Sequence, residues 1–423
     1  MAQRMTKLIS PIEASELLAP GSTVFIQGGI GEPTSLLNAL VCNPSAGKNV
    51  NFISVMVPGV NNYRPESFHD TATFSTFFVF SELHASFQSG KTRFLPLHYS
   101  EIIPYIELLP TIDTVLIQTS PPDSNGQCSL GPTVDFVPAL LTRANTVIAE
   151  INSAMPHTSG SPSIAYRDIH YAVEACHSLP SIADYKASPE TERIARNVVS
   201  LIDDGDTLQF GIGNIPDAIL SALSSHRGLG IHSGMITKAA ATLIDSGVFT
   251  GENKAIDSGE HITGFALGDE RFYQWAANCK SLKFRPVSYT HDIRIISALK
   301  NFVSINSAVQ VDLFGQVNAE MVNNRQISGT GGALDFIRGA RLSHNGRSII
   351  ALPATAAKGS QSRITARLGD QSIVSIPRTD VDYVVTEYGI ASLAYKSTAE
   401  RAEALINIAA PQFRDELAAQ FAK

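Results

Sequence analysis

Two features of one segment could bring backbone N–H groups against a ligand. Glycines follow an apolar run, and a proline lies at the start of the helical pattern that comes next. Both occur in "FGIGNIPDAIL", which contains Gly211, Gly213 and Pro216. Glycine lets the backbone turn tightly or approach a ligand, and proline fits the first turn of a helix. The N–H groups at that helix start can bind an anion or stabilise a developing oxyanion.

A dinucleotide-binding loop is the first alternative for this segment. Such a loop needs a third glycine, but Pro216 follows Gly213 where that glycine is expected. A phosphate loop would need a Lys-Ser or Lys-Thr pair, which does not follow here. The residues therefore argue against an NAD-dependent dehydrogenase, which also requires an acidic residue about 20 positions onward.

A further glycine loop occurs in "ISGTGGALDFIRGA", where Gly329, Gly331 and Gly332 precede a helical pattern. A tight turn in front of a helix would explain one such loop, but less readily several of them. The segment "PATAAKGSQSRI" places Lys358 and Arg363 among small residues. These cations suit contact with phosphate or carboxylate, and a solvated basic loop is the alternative.

The order of parts around Gly211 repeats near the N-terminus. "PGSTVFIQGGIGEPTSLLNAL" and "DGDTLQFGIGNIPDAILSAL" both contain a Gly-x-Thr turn, an apolar run, a glycine loop, a proline and a helical pattern ending in Ala-Leu. One residue is gained or lost inside the glycine loop. A repeat predicts two similar α/β domains in tandem, although any strand-loop-helix unit resembles another.

Short Val/Ile-rich runs alternate with helical patterns along the chain, as in parallel sheets covered by helices. The predicted strands are "NVNFISVMV", "TVLIQTS", "TVIAEIN", "SIIALPAT", "QSIVSIP" and "VDYVVTE". A polar, proline-containing stretch over residues 183 to 192 predicts a linker that ends in a helix start. We therefore expect an α/β fold with an N-terminal domain over residues 1–186 and a C-terminal domain over residues 187–423. Sites in such folds form at the carboxyl ends of strands.

The composition of the chain argues against several classes of protein. The 423 residues are 44% hydrophobic and 17% charged, with a net charge of −7, which is typical of a globular protein and argues against a nucleic-acid surface. The first ten residues lack a signal-peptide core, and no apolar run approaches the roughly 20 residues of a membrane helix. We expect a cytoplasmic protein without nucleic-acid or membrane partners.

Metal, disulfide and serine-hydrolase chemistry are also disfavoured. The cysteines are scattered and are expected to be buried free thiols: Cys42, Cys128, Cys176 and Cys279. His170, Glu174 and His177 would share a face only on a helix, whereas their neighbours favour a strand that turns His177 away. A Gly-x-Ser-x-Gly elbow does not occur.

Taken together, these segments resemble the acetyl-CoA hydrolase/transferase family, which includes 4-hydroxybutyrate and butyryl-CoA:acetate CoA-transferases. The likeness extends over nearly the whole chain. It rests on "GIGNIPDAIL", "INSAVQVDLFGQVNAE", "SGTGGALDFIRGA", "PATAAKGSQSRI" and "VTEYGIASLAYKSTAERAEALINIAAPQFRDEL". Within the family the chain looks most like bacterial enzymes proposed to move CoA among butyrate-like or itaconate-like acids.

This resemblance implies two class I CoA-transferase domains with mainly parallel sheets and an active site between them. It also implies an enzyme that passes CoA from an acyl-CoA to a free carboxylate. Coenzyme A is then a substrate, and no metal is required. A hydrolase of the same fold and a CoA-binding protein with little turnover are the alternatives. Two-domain enzymes of this type commonly associate, so we expect a homodimer or homotetramer.

Individual roles also follow from the resemblance alone. Gly331 and Gly332 would contact the acyl group or thioester, Lys358 would approach the CoA phosphates, and Glu387 would lie close to the reacting centre. A floor for the acyl pocket would come from the N-terminal glycine loop, in which Gly31 leaves space for a larger acid. The remaining implied residues are Gly211, Ile212, Gly213, Asn214, Ile215 and Pro216 for CoA, and Gly28, Gly29, Val60 and Asn306 for the substrate pocket.

The resemblance breaks at Gly234, in "LGIHSGMITKAA". Relatives have a glutamate there that attacks the acyl-CoA and carries CoA as a thioester. Another carboxylate such as Glu387 or Glu32 could serve, the enzyme could work without a covalent intermediate, or its chemistry could be diminished. A glutamate introduced at position 234 is expected to form a trappable adduct.

Overall fold

The computed structural model describes residues 5–183 and 186–422. The first four residues of the chain, and residues 184 and 185 of the predicted linker, lie outside that range. The described residues form two compact units. The first contains those up to Ala183 together with Thr263–Tyr289, and the second contains those from Lys186 to Ile262 and from Thr290 onward. The units are therefore not two continuous halves of the chain, because Thr263–Tyr289 belongs to the first unit. The domain limits expected from the sequence stay a prediction.

The strands are short and distributed over the whole chain. In chain order they are β1 (Lys7–Leu8), β2 (Thr23–Ile26), β3 (Asn51–Ser54), β4 (Thr73–Thr76), β5 (Thr92–Phe94), β6 (Ile112–Thr119), β7 (Gln127–Ser129), β8 (Ala144–Asn152), β9 (Ser163–Ala165), β10 (Tyr171–Ala175), β11 (Thr207–Phe210), β12 (Gly230–Ile231), β13 (Met235–Thr237) and β14 (His261–Thr263). They continue with β15 (Phe265–Leu267), β16 (Leu282–Phe284), β17 (Phe302–Ser307), β18 (Gln310–Asp312), β19 (Val317–Asn318), β20 (Met321–Val322), β21 (Arg325–Gln326), β22 (Arg347–Ala351), β23 (Thr355–Ala356), β24 (Gln361–Ser362), β25 (Ile364–Thr365), β26 (Tyr383–Thr386) and β27 (Gly389–Ser392).

The helices alternate with these strands. They are α1 (Pro11–Glu16), α2 (Thr34–Cys42), α3 (His84–Gln88), α4 (Ile102–Leu108), α5 (Val137–Leu141), α6 (Pro189–Val199), α7 (Asn214–Ser221), α8 (Lys238–Asp245), α9 (Glu270–Asn278), α10 (Val287–Thr290), α11 (Ile293–Ala298), α12 (Ala333–Leu342), α13 (Thr398–Ile408) and α14 (Pro411–Phe421). A capping box at Ser188 starts α6, which confirms the helix start predicted beside the linker. No helix among the described residues has the length and apolar character needed to span a bilayer.

The first unit is built on an eight-stranded sheet of order β1-β10-β8-β6-β2-β3-β4-β5, in which every neighbouring pair is parallel. Its buried strands carry Val24, Ile26, Phe52 and Phe74, which pack against apolar side chains of α2 and neighbouring loops. Because both faces are covered, the strands read as continuous apolar runs rather than as alternating patterns.

The second unit contains a six-stranded sheet of order β12-β11-β17-β22-β26-β27. The first five strands are parallel, and β27 returns antiparallel beside β26. Val384 and Ile350 of this sheet pack against Leu334 and Ile337 of α12 and Leu405 of α13. The predicted α/β fold with mainly parallel sheets is confirmed.

Most predicted strands are present, and one is not. "QSIVSIP" forms no strand, and Ile373 and Val374 are 39% and 47% exposed. Its one pairing is an isolated bridge from Ile376 to Val317. A short apolar run predicts a buried strand, but this one forms a loop that is anchored at Ile376.

The cysteines are free thiols, as expected, but their predicted burial is wrong for three of them. Cys128 is buried, Cys42 and Cys176 are exposed, and Cys279 is intermediate.

The internal repeat is visible in the backbone. Gly21 and Gly205 have φ angles of 85° and 84°, and each lies two residues before a strand, β2 or β11. A left-handed conformation of this kind favours glycine. The two copies then diverge, because a 3₁₀ turn over Gly29–Gly31 precedes α2 while α7 begins directly after Gly213.

Helices α11 and α12 approach closely at Gly339. A Cβ atom built on Gly339 would lie 2.6 Å from Ile296 Cβ, closer than non-bonded atoms allow. Ile296, Leu299, Phe302, Phe336 and Ala340 form the small apolar cluster around this contact. The missing side chain at Gly339 therefore allows α11 and α12 to approach each other closely at this point.

We expect Gly339→Ala to lower the free energy of unfolding by about 1–2 kcal/mol, because overpacking outweighs the helix-propensity gain of alanine. Urea unfolding measures this change. Gly369→Ala is the matched control, since a Cβ there would have no heavy atom within 4 Å, and its effect should stay within about 0.5 kcal/mol. Equal stabilities for wild type and Gly339→Ala would contradict the close approach.

Candidate active site

Residues selected from the sequence lie along one edge of the second sheet. Gly211 follows β11, Gly234 follows β12, Glu387 follows β26, and Asn306 lies in the last residues of β17. These four strands belong, together with β22, to the parallel series β12-β11-β17-β22-β26. Parallel strands end at the same edge, so the sheet brings these positions to one side, where ligands bind in open α/β folds.

The loop from Gly211 to Pro216 joins β11 to α7. Gly213 has a φ of 121°, which requires glycine, and it caps a helix that begins at Asn214. Gly211 differs, because it has no positive φ and a Cβ there would have no heavy atom within 4 Å. No contact with the residues that the structure describes requires glycine at 211, so the open space beside it is available for a ligand.

Flanking residues of this loop have different environments. Ile215 and Pro216 are buried, Ile212 is half-buried, and Asn214 is exposed at the first position of α7. Because Asn214, Ile215 and Pro216 form the first turn, their end of the helix lies beside the glycine loop. The structure thus confirms a helix start with Pro216 in its first turn, while CoA contacts of these residues stay a prediction.

Gly234 and Gly332 have two neighbours in common, the imidazole of His291 and the ring of Phe336. A Cβ built on Gly234 would lie 2.8 Å from His291 Cε1 and 3.0 Å from Nε2. A Cβ built on Gly332 would collide with Nε2 and Cδ2 of the same ring. The structure therefore joins the predicted nucleophile position and the third glycine loop through a histidine that the sequence reasoning missed. No pattern in "SYTHDIRII" marks this residue, because its neighbours are distant in sequence.

His291 is 4% exposed, and Phe336 packs against it with ring centroids 4.6 Å apart. Burial, followed by the charge of His232, lowers the pKa of His291 to about 3. Burial and Lys254 likewise lower the pKa of His232 to about 3. Both rings are consequently neutral at pH 7, although imidazole ordinarily titrates near that pH.

Asn306 belongs to a polar cluster on adjacent strands. Its Nδ2 donates to Ser304 Oγ at 2.9 Å and to Gln209 Oε1 at 3.2 Å, and Ser304 Oγ donates to Gln209 Oε1 at 2.7 Å. Gln209 and Ser304 are register partners of β11 and β17. Ser304 and Asn306 share a face because side chains alternate along a strand. This cluster fixes the Asn306 amide beside the sheet edge, and its place in the substrate pocket stays a prediction.

Lys358 lies at the tip of a small hairpin formed by β23 and β24. Its φ is 57° and that of Ala357 is 49°, so two non-glycine residues in succession adopt the left-handed conformation. Such backbone costs of order 1 kcal/mol or more per residue and often occurs at ligand sites. The side chain is exposed, as a phosphate-binding cation would need to be.

The Glu387 carboxylate has a hydrogen-bond partner within the folded chain. Its Oε2 accepts a hydrogen bond from the Ala354 backbone N–H at 2.8 Å. Burial, followed by the nearby charge of Glu387, raises the pKa of Glu190, and Arg363 lies close enough to both carboxylates to oppose that shift. Glu387 thus has a structural partner and a cation nearby, in addition to the role implied for it.

A groove of about 860 Å³ lies beside the Lys358 hairpin in the second unit. Ser360 and Gln361 of the hairpin form part of its wall, and the Arg367 guanidinium lies 4.8 Å from the Phe314 ring centroid at another part. Polar, cationic and aromatic groups together can receive a ligand that has both a flat ring and phosphates.

The N-terminal glycine loop of the first unit has a structural reason for each glycine. A Cβ on Gly28 would collide with the Val55 carbonyl, and Gly29 has a φ of 61°. A Cβ on Gly31 would collide with the Gln27 amide and lie 2.9 Å from Thr133 Cγ2. The expected free space at Gly31 is therefore wrong, because Gln27 and Thr133 already fill it.

Asn61 holds this loop against the turn that contains Val60. Its Oδ1 accepts from Gly29 N at 2.9 Å and Val57 N at 2.7 Å, while its Nδ2 donates to Gly29 O at 2.9 Å and Glu32 Oε2 at 2.8 Å. Val60 is 3% exposed beside it. The structure thus brings Val60 and the glycine loop together through Asn61, which the sequence reasoning did not select.

Glu32 is 7% exposed, and its burial raises its pKa to about 7 despite the Asn61 hydrogen bond. Glu150, at the carboxyl end of β8, is fully buried and accepts from the backbone N–H groups of Ser35 and Leu36 in the first turn of α2 at 2.8 and 3.1 Å. It also contacts His177 Nε2. The helix dipole and these donors stabilise the buried Glu150 carboxylate.

The histidines of the metal alternative belong to different environments. The predicted strand is confirmed as β10, and His170 Nδ1 accepts from Val147 N at 3.1 Å. His177 instead contacts Glu150, and Glu174 is exposed.

Glu32→Gln should reduce the pH dependence of stability. The raised pKa means that folding favours protonated Glu32, so its stabilisation is complete below pH 4.5 and is lost as pH rises through about 7. Between pH 5 and pH 8 we expect wild type to lose about 2 kcal/mol more than Glu32→Gln in urea unfolding. Exposed Glu16→Gln is the control and should behave as wild type. Identical pH profiles for Glu32→Gln and wild type would contradict a buried, protonated Glu32.

Comparison with known proteins places this geometry in a family. Residues 1–181 match the acetyl-CoA hydrolase/transferase N-terminal domain, and residues 268–421 match the C-terminal domain of the same family. The 4-hydroxybutyrate coenzyme A transferase of Clostridium kluyveri is 40% identical over 418 residues, covering 99% of this chain and 97% of that protein. The butyryl-CoA:acetate CoA-transferase of Anaerostipes caccae is 37% identical over 342 residues, covering 78% and 76%.

Solved structures show the same relation. The crystal structure of RipA from Yersinia pestis superposes with a TM-score of 0.91 at 33% identity, covering 98% of this chain and 96% of that one. Full-length similarity in sequence and in fold agrees with the family resemblance of the motifs, and the chain belongs to the acetyl-CoA hydrolase/transferase family.

Proposed function

We propose that this protein is an acyl-CoA:carboxylate CoA-transferase that moves CoA between short-chain acids of the butyrate, 4-hydroxybutyrate, acetate or itaconate/succinate type. The observation that carries the proposal is the 40% identity to a 4-hydroxybutyrate coenzyme A transferase over 99% of the chain. Family membership supports an enzyme that acts on CoA thioesters. Coenzyme A is the shared substrate, and no metal is assigned a role.

The geometry of the second unit supports a thioester carbonyl bound at the glycine loops that precede α7 and α12. Gly211 and Gly213 precede the start of α7, and Gly332 precedes the start of α12, so both helix starts carry backbone donors beside glycine. Donors of this kind stabilise the oxyanion formed when a thioester carbonyl is attacked. We place the acyl-CoA carbonyl at these loops and the CoA phosphates near Lys358.

The N-terminal glycine loop of the first unit supports a limit on the size of the acid that the acyl pocket accepts. Asn61 bonds both backbone groups of Gly29 and the N–H of Val57, which ties the glycine loop to the turn that contains Val60. Because Gln27 fills the space beside Gly31, we assign the limit on acid size to Gln27 and Thr133 in addition to the glycine. We further propose a cytoplasmic homodimer or homotetramer.

A hydrolase is the second candidate, favoured by the hydrolase/transferase description of the matching family domains. A CoA-binding protein with little turnover is the third, favoured by glycine at position 234. Incubation of butyryl-CoA with labelled acetate separates them. A transferase yields labelled acetyl-CoA, a hydrolase yields free CoA without labelled thioester, and a binding protein yields neither while its melting temperature rises with CoA.

Lys358→Ala should weaken CoA binding about fivefold and leave the KM of the free acid unchanged, because an exposed cation near phosphate contributes about 1 kcal/mol. Isothermal titration with CoA and steady-state kinetics with acetate measure the two effects. Lys396→Ala is the control, because Lys396 is also an exposed lysine of the second unit. It follows β27, which runs antiparallel to the other strands and therefore ends at the opposite edge of the sheet. Equal losses for CoA and acetate would instead assign Lys358 a structural role.

A further inference from the structure

The groove beside the Lys358 hairpin is larger than a short-chain acid requires. Its volume is about 860 Å³, and a second cavity of about 340 Å³ adjoins it. Gln310, Asn323, Gln361 and Ser362 line both cavities, so the two form one continuous space in the second unit. Ligand sites of roughly 300–1,000 Å³ hold molecules of drug or cofactor size. This space therefore suits a ligand about as large as a nucleotide.

One wall of the groove presents flat groups that are suited to stacking. The Phe314 ring centroid lies 4.8 Å from the Arg367 guanidinium and 5.9 Å from the ring centroid of Phe421. All three residues line the groove, and Arg367 is exposed while Phe314 is half-buried. A guanidinium is planar and stacks on aromatic rings. Because Arg367 is exposed to the solvent that fills the groove, a flat heteroaromatic ring can reach it and stack there.

Side-chain amides lie at the rim of the same space. Gln361 of β24 and Asn323 are both exposed and line both cavities. A carboxamide offers a donor beside an acceptor. The edge of adenine presents a donor beside an acceptor as well, and glutamine and asparagine pair with both at once. The rim therefore favours adenine over a ring that has no polar edge.

Cations outnumber carboxylates around the space. Arg367 lines the first cavity, Arg363 lines the second, and Lys358 lies at the tip of the adjacent hairpin, whereas the carboxylates in the lining are those of Glu416 and Asp370. Arg363 Nε and Nη1 donate to the carbonyl oxygens of Thr355 and Val309 at 3.1 Å each. These bonds hold the guanidinium in place and leave its Nη2 without a partner among the described residues. A fixed guanidinium of this kind suits phosphate oxygens.

The groove lies within reach of the glycine loops at which we place the thioester. Gly211 follows β11, and Leu352–Ala354 lead from β22 into the hairpin. Two strand spacings of about 4.8 Å separate β11 from β22, so their ends are about 10 Å apart. The pantetheine arm of CoA has about as many backbone bonds as four residues and spans roughly 14 Å when it is extended. One CoA molecule can thus reach from these loops to the hairpin.

We propose that this groove binds the 3′-phosphoadenosine diphosphate end of CoA, with the adenine stacked on the Arg367 guanidinium and the phosphates between Lys358 and Arg363. The proposal rests on the proposed function and names the part of the shared substrate that the groove recognises. Because every acyl-CoA carries the same nucleotide, such a site binds donors and products of different acids equally. Contacts far from the reacting carbon can also supply the energy that positions the thioester.

A truncated donor separates the groove from the thioester site. We expect Arg367→Gln and Phe314→Leu each to lower kcat/KM for butyryl-CoA about 10-fold, with labelled acetate as the acceptor, because each removes part of the stacking wall. For butyryl-pantetheine, which has no nucleotide, kcat/KM should stay within twofold of wild type. Arg196→Gln is the control, since Arg196 is an exposed arginine in the last turn of α6, and it should match wild type with both donors.

A purely structural role would lower kcat/KM for both donors equally, and that result would overturn the proposal. Unchanged kcat/KM of Arg367→Gln for butyryl-CoA would overturn it as well. Thermal unfolding shows whether Phe314→Leu is folded. Arg367 is exposed, so Arg367→Gln carries the test without a change in the core.

Binding of a nucleotide fragment tests the groove without turnover. Adenosine 3′,5′-bisphosphate should bind the wild-type protein in isothermal titration, bind Arg367→Gln about 10-fold more weakly, and give no heat with protein that is saturated with CoA. Binding to the CoA-saturated protein would reveal a separate effector site and overturn the proposal, as would absence of binding at millimolar concentration. If the fragment competes with CoA while butyryl-CoA and acetate give no labelled acetyl-CoA, the groove assignment is supported and the proposed function is overturned.

Discussion

Parallel pairing of β12, β11, β17, β22 and β26 is the constraint on which the second unit depends. Because every one of these strands runs in the same direction, the segments that follow them emerge at one edge. Residues that are far apart in sequence consequently meet there, including the loops at Gly211 and Gly234 and the amide of Asn306. The strands themselves carry buried polar side chains into this region, among them Gln209 and Ser304, which hold the Asn306 amide near the end of β17.

Local patterns of the sequence predicted much of this arrangement. The apolar runs became β3, β6, β8, β22 and β26, and the glycine-proline and glycine-glycine segments became the starts of α7 and α12. Residues that are close in sequence determine each of these elements. Apolar runs form buried strands, and the backbone freedom of glycine allows the turns before the helices. "QSIVSIP" failed because its composition does not reveal whether a sheet has a place for another strand.

Tertiary contacts explain what the sequence could not predict at the site. Gln27, which directly follows β2, fills the space beside Gly31, and His291, which directly precedes the N-cap of α11, reaches the Cβ positions of Gly234 and Gly332. Asn61 and Glu150 likewise acquire their partners only when separate loops come together. A glycine in a sequence shows where space could exist, whereas the folded chain decides whether another residue occupies it.

The matching turns at Gly21 and Gly205 have a consequence for how the two copies could have diverged. Equal turn geometry fixes how each strand begins, so later changes in length fall between strand and helix. The one-residue difference between the copies lies in the glycine loop, before α2 and α7 begin, so it leaves the spacing of side chains within each helix unchanged. Each helix can therefore start in its own way, after a 3₁₀ turn or directly after glycine, while the strand in front of it keeps its place in the sheet.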